Sequence, residues 1–173
     1  MVELQIILNW YCLLFLPMQV KEKEIMSYVL RRTTEADKQY FIDHGVQYPF
    51  RKPSFFYWLV ENQEEDVKAI HFGGNGYMEP DGTEIAEMPA YWAVIWKEKK
   101  YIVELFEGKK CSDHRVFEMI YKIKTVMSLK CTEEEKIEFL EVCKQCLTAF
   151  DNGGGKLSTC TGVSFIDEEV GWV

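Results

Sequence analysis

Histidine and proline are scarce in this chain, three and five among 173 residues. No apolar run reaches the about 20 uninterrupted residues that a bilayer-spanning helix needs. The longest, residues 5–18 (QIILNWYCLLFLPM), is broken by Asn9 and Pro17, follows no Lys or Arg, and precedes no small-residue cleavage pattern. Neither a membrane anchor nor a signal peptide is expected from it. Cations are also in deficit: 20 Lys+Arg stand against 28 Asp+Glu, a net charge of −8. That field repels nucleic acid and anionic membrane, so neither is an expected partner, and a basic protein suits it better.

Signatures of catalysis are missing as well. Gly153-Gly154-Gly155-Lys156 is followed by Leu157 where a phosphate loop needs Ser or Thr, and it ends a helical pattern instead of opening one. Gly73-Gly74-Asn75-Gly76 lacks the G-x-G-x-x-G order of a dinucleotide turn. Cys111 with His114, or His71 alone, could be imagined as nucleophile and base, but no spacing supplies the third, orienting group. No catalytic residue and no cofactor are expected.

What the chain does hold is material for a core, 47% hydrophobic and 14% aromatic residues. This is the balance of one folded domain. A chain of this length needs no disulfide staples. Its six cysteines, Cys12, Cys111, Cys131, Cys143, Cys146 and Cys160, are therefore expected as reduced thiols of a cytoplasmic protein. Cys111-Ser-Asp-His114 and Cys143-Lys-Gln-Cys146 have spacings that could hold tetrahedral zinc. Cys143 and Cys146, however, fall mid-helix beside the apolar stripe of Phe139, Val142 and Phe150, where Cys behaves as a small hydrophobe, so no metal is expected. Residues 1–25 form an apolar leader. Lys21-Glu22-Lys23-Glu24-Ile25-Met26 can be encoded by purine-rich codons resembling a bacterial ribosome-binding site ahead of a start codon. On that reading Met26 begins the protein, residues 26–173 form the single domain, and the source is a bacterium or phage. If translated, the leader would lie on the core as a strand or helix.

Turn chemistry and periodicity divide the domain. Residues 27–32 read as a first strand, and Thr34 with Asp37 three residues later reads as a capped helix start, closed after His44 by Gly45. Residues 54–60 and 67–72 are rich in β-branched and aromatic side chains and form a hairpin about the polar turn Glu61–Asp66. Tyr91–Trp96 and Lys100–Glu107 form another about Lys97-Glu98-Lys99. Val116, Met119, Ile120, Ile123, Val126 and Met127 recur at three- and four-residue spacing, which predicts an amphipathic helix over 113–129. Thr132 and Glu135 form a capping box for another helix to Phe150, and Val163–Ile166 returns as a last strand. The expected fold is therefore α+β: a mainly antiparallel sheet of five strands with three helices, the two C-terminal ones on one face. Its expected core comprises Phe56, Trp58, Val60, Val94, Val103, Leu105, Ile120, Ile123, Leu140 and Cys143.

Tyr28-Val-Leu-Arg-Arg-Thr-Thr-Glu-Ala-Asp37 resembles the first strand and helix start of the N-acetyltransferase superfamily. That resemblance implies a small acyl-transferring enzyme, the alternative to a binding protein. The superfamily's pyrophosphate turn, Arg/Gln-x-x-Gly-x-Gly/Ala, is missing after Val103–Phe106, where Glu107-Gly108-Lys109-Lys110 stands.

Charge is divided unevenly. Residues 61–90 carry eight acidic groups against Lys68 alone, whereas residues 91–130 carry nine basic groups and five acidic ones. Acid concentrated where strands turn suits recognition of a cationic surface. The expected function is a non-catalytic protein-binding domain, most concretely an immunity protein that occludes a basic toxin such as a nuclease. Glu64, Glu65, Asp66, Asp81, Glu84 and Glu87 are the expected partner-binding residues.

Overall fold

The structure, a computed structural model, describes residues 28–46, 50, 52–73, 86–113, 116–128, 130–152 and 160–173. The leader lies outside the described residues, as do the glycine runs after Gly73 and at 153–155. Among the described residues the chain makes eight strands: β1 (Val29–Arg32), β2 (Trp58–Asn62), β3 (Val67–Gly73), β4 (Ala86–Trp96), β5 (Lys99–Asp113), β6 (Val116–Ser128), β7 (Cys160–Phe165) and β8 (Gly171–Trp172). Two helices accompany them, α1 (Glu35–Asp43) and α2 (Glu133–Asn152). The strands form one mixed sheet in the order β1-β2-β3-β4-β5-β6-β7, with β8 also on β6. β1 to β6 pair antiparallel in sequence, while β7 and β8 lie parallel to β6. A parallel neighbour requires a crossover, and α2 supplies it between β6 and β7.

This corrects the expected five strands and three helices. The segment expected as a helix over 113–129 is β6, paired with β5 from Tyr101↔Ser128 to Asp113↔Val116. The reason is a β-bulge. Glu104 pairs with Thr125 but Leu105 pairs with Ile123, leaving Lys124 between them. One extra residue shifts the alternation of faces, so the inward set is Met119, Tyr121, Ile123 and then Val126. The three-residue step across the bulge imitates a helical repeat.

Two layers of apolar side chains result. On one face α2 lays Phe139, Val142, Cys143, Cys146, Leu147 and Phe150 against β2 to β6. Phe139 is fully buried, its ring stacked on Tyr101 at 4.0 Å between centroids. On the other face α1 and the residues after it close a smaller cluster of Phe41, Val46, Leu59, Ile70, Phe72, Ala93 and Ile95. The helices therefore cover opposite faces, and of the two C-terminal helices expected on one face only α2 forms, since the other is strand β6. Val60, Val94, Val103, Leu105, Ile123 and Cys143 are buried as expected. Phe56 instead is exposed, because Ser54–Phe56 is a turn of 3-10 helix before β2, and Trp58, Ile120 and Leu140 are half-buried.

α1 starts where its capping residues dictate. Thr34 Oγ1 accepts from the Asp37 backbone N–H, and Asp37 Oδ2 accepts from the Thr34 N–H at 2.8 Å. Gly45, at φ +86°, ends the turn that follows α1 in the left-handed region open to glycine. Asp37 is buried and receives a two-pronged contact from Arg31, Nη1 to Oδ2 at 2.6 Å and Nη2 to Oδ1 at 2.8 Å. Arg31 also donates from Nε to Glu61 at 2.8 Å, so β1, β2 and α1 share one guanidinium.

Candidate functional site: an acidic groove beside helix α2

The turn between β2 and β3 is built by its own polar groups. Asn62, buried, accepts at Oδ1 from the backbone N–H groups of Glu64 and Glu65 at 3.0 and 3.2 Å. Asp66 follows at φ 51°, and its carbonyl accepts from Lys97 N–H at 2.9 Å, which fastens this turn to the one between β4 and β5. With the backbone so occupied, the Glu64 and Glu65 side chains remain exposed.

Opposite them runs one flank of α2. Ile137, Glu138, Glu141, Val142 and Gln145 recur at helical spacing, so they share a side. Between turn and helix opens a groove of about 660 Å³, its apolar surface supplied by Tyr28, Trp96, Val142 and Ile137, its acidic rim by Glu64 and Glu65 on one wall and Glu138 and Glu141 on the other. Ile137 is 73% exposed. Lys97 Nζ lies 3.5 Å from Glu138 Oε2 and 4.7 Å from the Trp96 ring centroid.

Tyr28 registers the field there. Its hydroxyl is held above the usual phenol range, first by burial and further by the charges of Glu65 and Glu141, with a hydrogen bond to Asn62 acting in the other direction. Glu65 and Glu141, on opposite walls, thus act on one point. Trp96 is 2% exposed, and its indole Nε1 has no acceptor among the described residues.

Of the residues expected to bind a partner, Glu64 and Glu65 line the groove. Asp66 sits in the same turn and does not line it. Asp81 and Glu84 lie outside the described residues. Glu87 has its backbone in β4, opposite Gly108, and its side chain is outside them. Glu138 and Glu141 escaped sequence reasoning. Their i, i+3 spacing on the polar side of a helix was visible, but the turn they face was not.

The cysteines of the zinc spacing serve the core. Cys143 and Cys146 pack with Trp92, Val94, Val103, Leu105 and Leu147, where burial pushes the Cys143 thiol up and the Cys146 thiol to about 12. In that apolar surround both thiols pack as small hydrophobes. His114 lies outside the described residues, as does the side chain of Cys111. Another set of titratable groups lies on the α2 face: His71 Nε2 is 3.2 Å from Glu107 Oε1, and Tyr121 donates to Asp151 at 2.5 Å. Burial first, then the charges of Asp151 and Glu107, holds the Tyr121 phenol well above its usual range and keeps it a donor. No helix among the described residues is long and apolar enough to cross a membrane. The chain matches no known family model, and neither the curated proteins nor the solved structures offer a match.

Proposed function

We propose that the chain is a non-catalytic protein-binding domain for a basic partner, most concretely a bacterial or phage immunity protein that occludes a cationic toxin such as a nuclease. The observation that carries this reading is the groove, where Glu64, Glu65, Glu138 and Glu141 surround the apolar surface of Tyr28, Trp96, Val142 and Ile137. A protein interface needs both parts, apolar area to bury and a charged rim to steer the encounter. Lys97 reaches Glu138 at 3.5 Å, but the structure contains no ion pair to Glu64, Glu65 or Glu141 among the described residues, so their field extends into solvent. Exposed carboxylates act mainly on association, because they are well solvated before and after binding.

Affinity purification from the native host identifies the partner, and stopped-flow mixing measures its association. The partner should be basic. Replacing Glu64, Glu65, Glu138 and Glu141 by Gln should slow association about tenfold at low ionic strength and flatten its salt dependence. An acidic partner, or an association rate unmoved by the four substitutions, would refute the reading.

A further inference from the structure

The side of the sheet away from α2 is only partly covered. α1 and the residues after it lie over β2, β3 and β4, and their cluster ends at Ile102. Cross-strand partners share a face, so the outward set beyond that cluster follows from the register: Ile102 opposite Met127, Glu104 opposite Tyr91, Phe106 opposite Lys122, and Gly108 opposite Ile120. No helix among the described residues lies over these positions. Tyr91 and Met127 are 44% and 45% exposed, while Ile102, Phe106 and Ile120 are half-buried. A contiguous apolar patch of this kind, rimmed by polar side chains, marks a contact surface.

Its charges say what it fits. Lys124, the bulge residue, bends over Phe106, its Nζ 5.4 Å from the ring centroid and 3.5 Å from Glu104 Oε1. Lys122 Nζ lies 2.7 Å from Glu168 Oε2. Each of these cations has its carboxylate, so the patch is close to neutral in a chain of net charge −8. A strongly charged partner of either sign finds little to match there. A second copy does, because a two-fold axis lets Glu104 and Lys124 each meet its opposite on the other chain. Exposed pairs of this kind exchange partners at little cost.

We infer that the outer face of β4 to β6 is where a second copy of the chain docks, about a two-fold axis that runs along the strands between β5 and β6. Rotation about that line lays β5 of one copy over β6 of the other. The register pairs then recur across the interface: Ile102 of one copy meets Met127 of the other, Phe106 meets Lys122, Glu104 meets Lys124, and Ile120 meets Gly108, where no side chain opposes it. The sheet curls around α2, which touches β1 and β2 near one edge and β7 at the other, so the outer face is convex and the copies meet only over the middle strands. Three strands from Ile102 to Gly108 make roughly 20 Å by 14 Å. An interface of that extent is at the small end, below about 1,200 Å² in total, and the dimer should dissociate at about 10–100 μM. The groove beside α2 lies on the other side of the sheet and stays open, so this inference goes beyond the basic-partner reading and does not depend on it.

Sedimentation velocity of the full chain at physiological ionic strength tests it. The sedimentation coefficient should rise from the monomer value toward that of a dimer across that concentration range. Glu104→Lys and Lys124→Glu, each alone, set like charges against each other across the interface and should weaken the dimer at least about tenfold. Mixed together, the two variants should form a heterodimer as tight as the wild-type pair, since the cations of one copy then face the carboxylates of the other. Mixing would not repair a fold defect in either variant, so the rescue reports on the interface alone. Glu64→Gln with Glu65→Gln, in the groove, should leave the dimer unchanged. A wild-type chain still monomeric at hundreds of micromolar would overturn the inference and give the face to another segment of the chain or to a different protein. A dimer untouched by the single substitutions, or a mixture no tighter than either variant alone, would overturn it as well.

Discussion

Asp37 offers the sharpest test of how α1 is held. Its carboxylate is 5% exposed, meets Arg31 at 2.6 and 2.8 Å, accepts from the Thr34 N–H, and has Lys68 Nζ at 3.5 Å. Burial by itself would raise its pKa. The Arg31 guanidinium and the Thr34 backbone and hydroxyl donors outweigh burial and hold the group well below the usual carboxylate range. Asp37→Asn removes the charge while keeping an oxygen for the cap. Breaking a fully buried pair by removing one partner costs about 3–5 kcal/mol. Arg31 is 31% exposed and keeps Glu61 at 2.8 Å, so part of its charge remains solvated and paired. The expected cost is therefore lower, about 2–3 kcal/mol, or about 4–12 °C in Tm for a chain of this size. Asp37→Ala also removes the capping oxygen and should cost about 1 kcal/mol more.

Urea unfolding at a series of pH values separates these contributions. A depressed carboxyl pKa contributes stability that is complete above the unfolded value, about 3.9, and fades as pH falls toward the folded one. The gap between the wild-type chain and Asp37→Asn should then be full at pH 7 and shrink below about pH 4. Arg31→Met, which keeps the packed stem, completes a double-mutant cycle whose coupling should exceed about 1 kcal/mol. A gap that is the same at pH 7 and pH 3, or a coupling near zero, would refute the argument that charge is what ties β1 to α1.

Phe139→Ala should cost about 3–5 kcal/mol, because the ring is fully buried against Tyr101, Trp96 and Trp172. Leu140→Ala, at a half-buried position, should cost clearly less, and denaturant midpoints compare the two. His44 has Nε2 2.7 Å from Glu98 Oε2 and Nδ1 2.7 Å from the Tyr40 carbonyl, an arrangement only the imidazolium satisfies at both nitrogens. Its pKa is raised, chiefly by the hydrogen bond to Glu98 and against the opposing effect of burial. The contribution is present below the unfolded value, about 6.5, and lost as pH rises through the folded one. Glu98→Gln should therefore reduce stability more at pH 6 than at pH 9 by thermal unfolding, and an equal loss at both would remove the pair from the account.

The sequence revealed local devices and hid distant ones. The Thr34–Asp37 box and the β4–β5 hairpin were legible because each depends on residues within a few positions of each other. β6 was not, since a single bulge at Lys124 converts the period-two pattern of a strand into steps of three and four. Nor were the parallel strands: β7 (CTGVSF) shows little alternation, and β8 is two residues long. Both acquire partners only because α2 returns the chain to β6. The site divides in the same way. Glu64 and Glu65 stood out as part of an acidic turn, whereas Glu138 and Glu141 gain meaning only from the crossover that lays α2 opposite that turn.

That division also changes what the net charge of −8 means. Much of the acid is committed within the fold: Asp37 and Glu61 to Arg31, Glu98 to His44, Glu135 to Lys99 and Glu133 to Lys136. Such pairs contribute little to the field a partner meets, because each is neutralised within a few ångströms and screened beyond about 10 Å. Glu64, Glu65 and Glu141 have no such ion pair among the described residues, and they face one another across an apolar floor. The electrostatic pull on a basic partner should thus follow these few side chains rather than the total. Adding acidic residues on the far face of α1 would make the net charge more negative while leaving association at the groove almost unchanged.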